Sequence, residues 1–236
     1  MSPRELGGLV VIRSEISYAR LLYQILLLGK KPLLLHHKLL LMKKNKAFSF
    51  LLAAILVSIG AHGQKTDYLQ VPGPLNFDSK AYYLDWSSHP SPTYYKQEYL
   101  RKGDTTGHFS SMLMLEAVTG TVNIKEVVSA KLQELQAMKK ANPIVQYETF
   151  SNASTGEYMI DFLLTDGAGD NSIAEHNIYR YKNFTSKNGK KGLMLFALST
   201  RSYGKNIDAF LVTLKANKRK MVDNVLKFTL PALTIK

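Results

Sequence analysis

Cysteine is absent from the 236 residues. Its absence excludes a disulfide scaffold, thiolate metal sites, a cysteine nucleophile and a lipid anchor attached through cysteine. Tryptophan occurs once, and 18 Asp and Glu stand against 31 Lys and Arg, a formal net charge of +13. No G-x-S-x-G nucleophile elbow and no H-E-x-x-H zinc motif is present. Gly189-Lys190-Lys191-Gly192 lacks the upstream glycine and the hydroxyl residue of a phosphate loop, and Asp166 to Asp170 lacks calcium-loop spacing, so both read as turns. With 45% hydrophobic and 21% charged residues the composition is that of a globular protein.

The basic excess is unevenly placed. Residues 1–63 hold nine Lys and Arg against two acids, whereas the following 173 residues hold 22 against 16. The longer segment has an ordinary soluble surface with mild attraction for anions. A nucleic-acid partner is not expected, because no recognition motif accompanies the charge.

Met42-Lys43-Lys44-Asn45-Lys46 is a short basic stretch, followed by the uncharged run Ala47 to Ile59 and then Ala61-His62-Gly63. That succession describes a secretory signal peptide over 42–63, with cleavage between Gly63 and Gln64 and a cut after Gly60 as the alternative. Thirteen helical residues reach only about 20 Å, short of a hydrocarbon core of about 30 Å. The membrane is therefore met only through this segment before cleavage, and the mature chain is expected in the periplasm or outside the cell. Residues 1–41 are read as an upstream extension, with Met42 as the true start. A basic extension lying on the membrane surface is the other reading.

Residues 64–79 form a polar lead-in containing Pro72-Gly73-Pro74, and 80–236 form one domain. Alternating, aromatic-rich runs predict strands at Tyr82–Ser87, Thr93–Arg101 and His108–Val118. Asn123 and Glu126 mark a helix start as a capping box, and Asn142-Pro143 marks its end. Strands follow at Ile144–Ser151, Glu157–Thr165, Ser172–Phe184 and Leu193–Ser202, the last two joined by an Asn188-Gly189 turn. A second helix, near Asn206 to Phe228, carries Ile207, Phe210, Leu211, Leu214, Met221, Val222, Val225 and Leu226 on one stripe, with a break expected near Asn217. The expected fold class is α+β: an antiparallel sheet of about seven strands with two amphipathic helices, in the order βββ-α-ββββ-α.

This order, the Tyr83-Leu84-Asp85-Trp86 strand and the final amphipathic helix resemble the PsbP-like or Mog-type fold over about 80–236. The signal peptide and the tyrosine-rich hairpin are similar to secreted proteins of unknown function of Bacteroidetes type. The resemblance implies export and a binding or accessory role, and supplies no catalytic residues.

Two constellations are candidates for ligand contact. One is the polar strand around Glu175, His176, Tyr179 and Arg180, where alternation places Glu175, Asn177, Tyr179 and Tyr181 on one face and His176, Ile178, Arg180 and Lys182 on the other. Arg180 suits an anion there. The competing reading is a solvent face with cross-strand pairs such as Glu–Arg. The other candidate is the aromatic hairpin with Trp86, Tyr95 and Tyr99, suited to a sugar, a peptide or a partner protein unless these rings are core. Lys215, Lys218, Arg219 and Lys220 read as a solvated helix face. His89, His108 and His176 are too scattered to suggest a metal site, and no cofactor is expected.

The functional expectation is an exported, non-enzymatic protein that binds a partner protein or a small ligand. The alternatives are an exported hydrolase using Glu175, His176 and Arg180 with Glu98 or Asp161, and a protein held on the membrane by an uncleaved N-terminal segment.

Overall fold

Two strands of thirteen residues, β9 (Ile173–Thr185) and β10 (Lys191–Tyr203), dominate the fold, with Gly189 at φ +82° in the turn between them. In the computed structural model, which describes residues 5–6, 9–11, 65–71 and 73–236, they lie at the centre of an antiparallel sheet. The other strands are β1 (Glu5–Leu6), β2 (Leu9–Val11), β3 (Leu75–Phe77), β4 (Lys80–Ser91), β5 (Tyr94–Leu100), β6 (Ser111–Thr119), β7 (Gln146–Asn152) and β8 (Glu157–Asp166). Their spatial order is β1-β2-β7-β8-β9-β10-β6-β5-β4-β3. Val10 and Val11 of β2 pair with Ser151 and Phe150 at the outer edge of β7. The signal segment 42–63 and the cleavage pair Gly63–Gln64 lie outside the described residues. Among the described residues no helix is long and apolar enough to cross a membrane.

The expected α+β arrangement of about seven strands in the order βββ-α-ββββ-α is corrected. Strands β3–β10 form an eight-strand antiparallel sheet curled into a half-barrel, and four of these eight, rather than three, precede the first helix. The additional strand is β3, inside the lead-in. Leu75 and Phe77 are buried and Asn76 exposed, the period-2 pattern of a strand, but three residues are too few to show it in sequence. The turn to β4 carries Asp78 at φ +46° and Ser79 at φ +60°, both left-handed, without the glycine that usually marks such a turn. Register shifts in β4 between Leu84 and Trp86 and between Ser88 and Ser91 are bulges, which increase local twist and help the sheet curl.

Helix α1 (Ile124–Ala141) starts at Asn123, whose side chain accepts from the Lys125 amide at 3.0 Å. Glu126 accepts from the Asn123 side-chain amide at 3.2 Å, a variation on the expected capping box. Helix α2 (Ile207–Lys227) runs through Asn217 without the expected break.

The two helices cover opposite faces of the sheet, which explains the continuous apolar run 193–198. Met194, Phe196 and Leu198 pack with Val222 and Val225 of α2, and Leu193, Leu195 and Ala197 with Val128 and Leu135 of α1. The α2 face is completed by residues 65–71 and the C-terminal strip. The Leu69 amide donates to Gln97 Oε1 at 2.8 Å, and the Thr234 amide donates to the Leu69 carbonyl at 2.9 Å.

Gly192 sits in β10 where a Cβ would lie 2.0 Å from the Val118 carbonyl oxygen and 2.9 Å from Thr119 Cα. These are backbone atoms and cannot turn aside. Gly192→Ala is expected to destabilise by about 1–3 kcal/mol through forced separation of β10 and β6. Urea denaturation beside a Gly107→Ala control, where a Cβ meets nothing within 4 Å, checks this.

Candidate functional site

On α2, Leu211, Leu214, Lys215 and Lys218 recur at i, i+3, i+4 and i+7 and so share one side of the helix. They face Gln146 of β7, Asp161 and Leu163 of β8 and His176 of β9 across a cleft of about 240 Å³. The strand residues converge because β7, β8 and β9 are neighbours in register: Gln146 opposes Leu163, and Leu163 opposes His176.

The floor of the cleft holds a buried acid and a buried imidazole. Asp161 is 2% exposed and His176 1%. His176 Nε2 stands 3.2 Å from Asp161 Oδ1 but is not aligned for a hydrogen bond; among the described residues neither ring nitrogen nor Asp161 Oδ2 has a hydrogen-bond partner. Leaving a buried polar atom unsatisfied costs roughly 1–3 kcal/mol, and such atoms are few in native proteins. Lys218 Nζ reaches in from α2, 3.3 Å from Asp161 Oδ1 and 3.2 Å from Glu148 Oε2. Burial pulls the Lys218 ammonium down, but Asp161 and Glu148 outweigh it and hold the group above the ordinary lysine value. Lys215 is exposed at the mouth. The walls are supplied by Leu163, Leu211 and Leu214.

The cleft reassigns Lys218. Its sequence signal was available: Lys218 lies four residues from both Leu214 and Val222, inside the apolar stripe that faces the sheet. Asp161 sends a similar signal, as an acid sharing a strand face with Met159 and Leu163.

The remaining candidates occupy other places. Arg180 points to the α2 face but is engaged through Nε and Nη1. Its Nε donates to Glu157 Oε2 at 2.8 Å, and Nη1 donates to the carbonyls of Val225 and Phe228 at 3.1 and 2.9 Å. It fastens the end of α2 to the sheet. Glu175 accepts from Arg201 Nε at 2.7 Å and from Asn177 Nδ2 at 3.0 Å, a cross-strand pair. Of the residues weighed for hydrolysis, only Asp161 and His176 come together.

The hairpin aromatics divide between the two faces. Tyr95 and Tyr99 are buried in the α2-side core; Tyr99 accepts from Gln97 Nε2 at 2.7 Å, and Tyr95 stacks on His89 at 4.1 Å. Trp86 lies opposite Glu98, 40% exposed, with Lys96 Nζ 5.8 Å from its ring.

Tyr179 faces α1 and lines a second cleft, of about 270 Å³, with Glu116, Lys131, Glu134 and Tyr181. Here the charges find partners within the chain. Lys131 Nζ lies 2.9 Å from Glu134 and 5.0 and 5.6 Å from the Phe162 and Tyr179 rings. Burial raises the Glu116 carboxyl above its usual range, with Lys96 opposing, and burial holds the Tyr179 phenol well above its ordinary value. Among the described residues no three side chains converge as metal ligands.

No curated protein and no solved structure matches the chain. A family model does match residues 69–230, from the segment laid across the α2 face to just beyond α2, and the chain belongs to that family, which is uncharacterised.

Proposed function

We propose that this chain is an exported, non-enzymatic binding protein that takes a small polar ligand in the cleft between α2 and strands β7–β9. The observation that carries this reading is the pair Asp161 and His176, buried at the floor of the cleft with polar atoms that nothing among the described residues satisfies. A cleft of about 240 Å³ lies below the usual range of about 300–1,000 Å³ for ligand pockets, which suits a compact molecule. The lining holds no serine, threonine, cysteine or tyrosine, so a hydroxyl or thiol nucleophile is not at hand. That favours binding over covalent hydrolysis. Export is supported by the basic stretch Met42–Lys46, the uncharged run Ala47–Ile59 and Ala61-His62-Gly63.

Screening the exported protein against small polar compounds by calorimetry tests the reading. At least one compound should bind, and Asp161→Asn and His176→Asn should each weaken it tenfold or more. Ligands unaffected by both substitutions would place binding elsewhere. Turnover of an ester panel that is lost in His176→Ala would replace binding with catalysis. N-terminal sequencing of the exported product should begin at Gln64; recovery of the mature chain from the cytoplasm would remove the export half of the proposal.

A further inference from the structure

Resting on the cleft reading above, we infer that the ligand is a small hydroxycarboxylate, with its hydroxyl at the Asp161–His176 floor and its carboxylate at Lys215. The floor presents a carboxylate oxygen, which accepts, beside an imidazole, whose ring N–H donates. A single hydroxyl serves two of the three orphaned atoms at once: it donates to Asp161 Oδ2 and accepts from a His176 N–H. An ammonium brings only donors. It would also set a second cation beside Asp161, which already has the Lys218 ammonium 3.3 Å from Oδ1.

The charges at the mouth favour an anion. Lys218 is held by Asp161 and Glu148, whereas Lys215 is exposed on the next helical position of the same side, with no carboxylate among the described residues in salt-bridge contact. A carboxylate at the mouth gives Lys215 its counterion. Between floor and mouth, Leu163, Leu211 and Leu214 offer an apolar wall for a short hydrocarbon body. The volume is too small for a nucleotide or an oligosaccharide.

The isosteric series malate, aspartate and succinate isolates the hydroxyl, because the three differ at one substituent: hydroxyl, ammonium or hydrogen. Calorimetric titration of the exported protein should show malate binding at least ~10-fold tighter than either of the others, since a site built around a hydroxyl leaves its buried atoms unpaired with the analogue that lacks it. Lys215→Gln should weaken malate severalfold with no change in thermal unfolding of the unliganded protein, a readout that separates lost binding from lost folding. Equal affinity for malate and succinate, or tighter binding of aspartate, overturns the inference. If none of the three binds but another compound does and loses affinity in Asp161→Asn, the hydroxycarboxylate is wrong and the cleft stands. If every ligand found is indifferent to Asp161 and His176, both fall.

Discussion

Arg180→Ala is expected to destabilise the protein by about 3–5 kcal/mol, the usual consequence of removing one member of a buried ion pair. Arg180 and Glu157 are 8% and 5% exposed, with 2.8 Å between Nε and Oε2. Among the described residues, loss of the guanidinium leaves the Glu157 carboxylate with only Lys182 as an ion-pair partner, reaching it at 2.9 Å from a side chain 43% exposed. It also orphans the carbonyls of Val225 and Phe228 at the end of α2. Urea denaturation near neutral pH measures the loss. The double variant Arg180→Met, Glu157→Leu should recover much of it, because no charge then remains buried. A single-variant loss under about 1 kcal/mol would show that the pair is worth no more than a surface contact.

The same pair sets an acid limb. Burial pushes the Glu157 carboxyl up, but hydrogen bonds and charge from Arg180 and Lys182 outweigh it and leave the group below its ordinary value. The folded state therefore takes up the proton less readily than the unfolded chain. The resulting stability is present above the unfolded glutamate value of about 4.3 and is lost as pH falls through the folded value. Arg180→Ala removes the leading opposing partner, so its acid unfolding should begin at higher pH than in the parent.

Phe196→Ala is expected to cost about 3–5 kcal/mol, the range for deleting a buried aromatic. Phe196 is fully buried on the α2 side of β10. It stacks on Phe228 at 4.6 Å and touches Phe77 at 6.1 Å, while Phe77 and Phe228 meet edge-on at 5.5 Å. These three rings join the central strand, the short strand β3 and the chain just beyond α2. Amide exchange should consequently rise most in 75–77 and 228–236, while the α1 side stays protected. Phe196→Leu, which keeps most of the apolar volume, should lose less than half as much. Uniform exchange across both faces would mean that the two cores open as one.

Local chemistry was enough for the elements whose signal is local. Asn123 and Asn142-Pro143 bound α1 because a cap and a breaker act within one turn of the chain. The Asn188-Gly189 turn and the alternation through 173–185 specify a hairpin for the same reason. β3 escaped because three residues cannot show a period and its Asp78-Ser79 turn lacks glycine. Curl escaped because it is a property of neighbouring strands and their bulges.

Alternation along β9 separates His176 and Arg180 from Tyr179, but it does not say what each will meet. Arg180 looked like an anion holder and is consumed by Glu157 and the end of α2. Lys218 looked solvated and instead reaches a buried aspartate on a strand remote in sequence. By itself, then, the amino-acid order determined which of the longer segments are helical or extended and which side of each is apolar, because those depend on contacts a few residues apart. Which polar groups end up together under α2 was decided only when register and helix placement closed the structure, because a charge takes its partner from whatever the fold sets beside it.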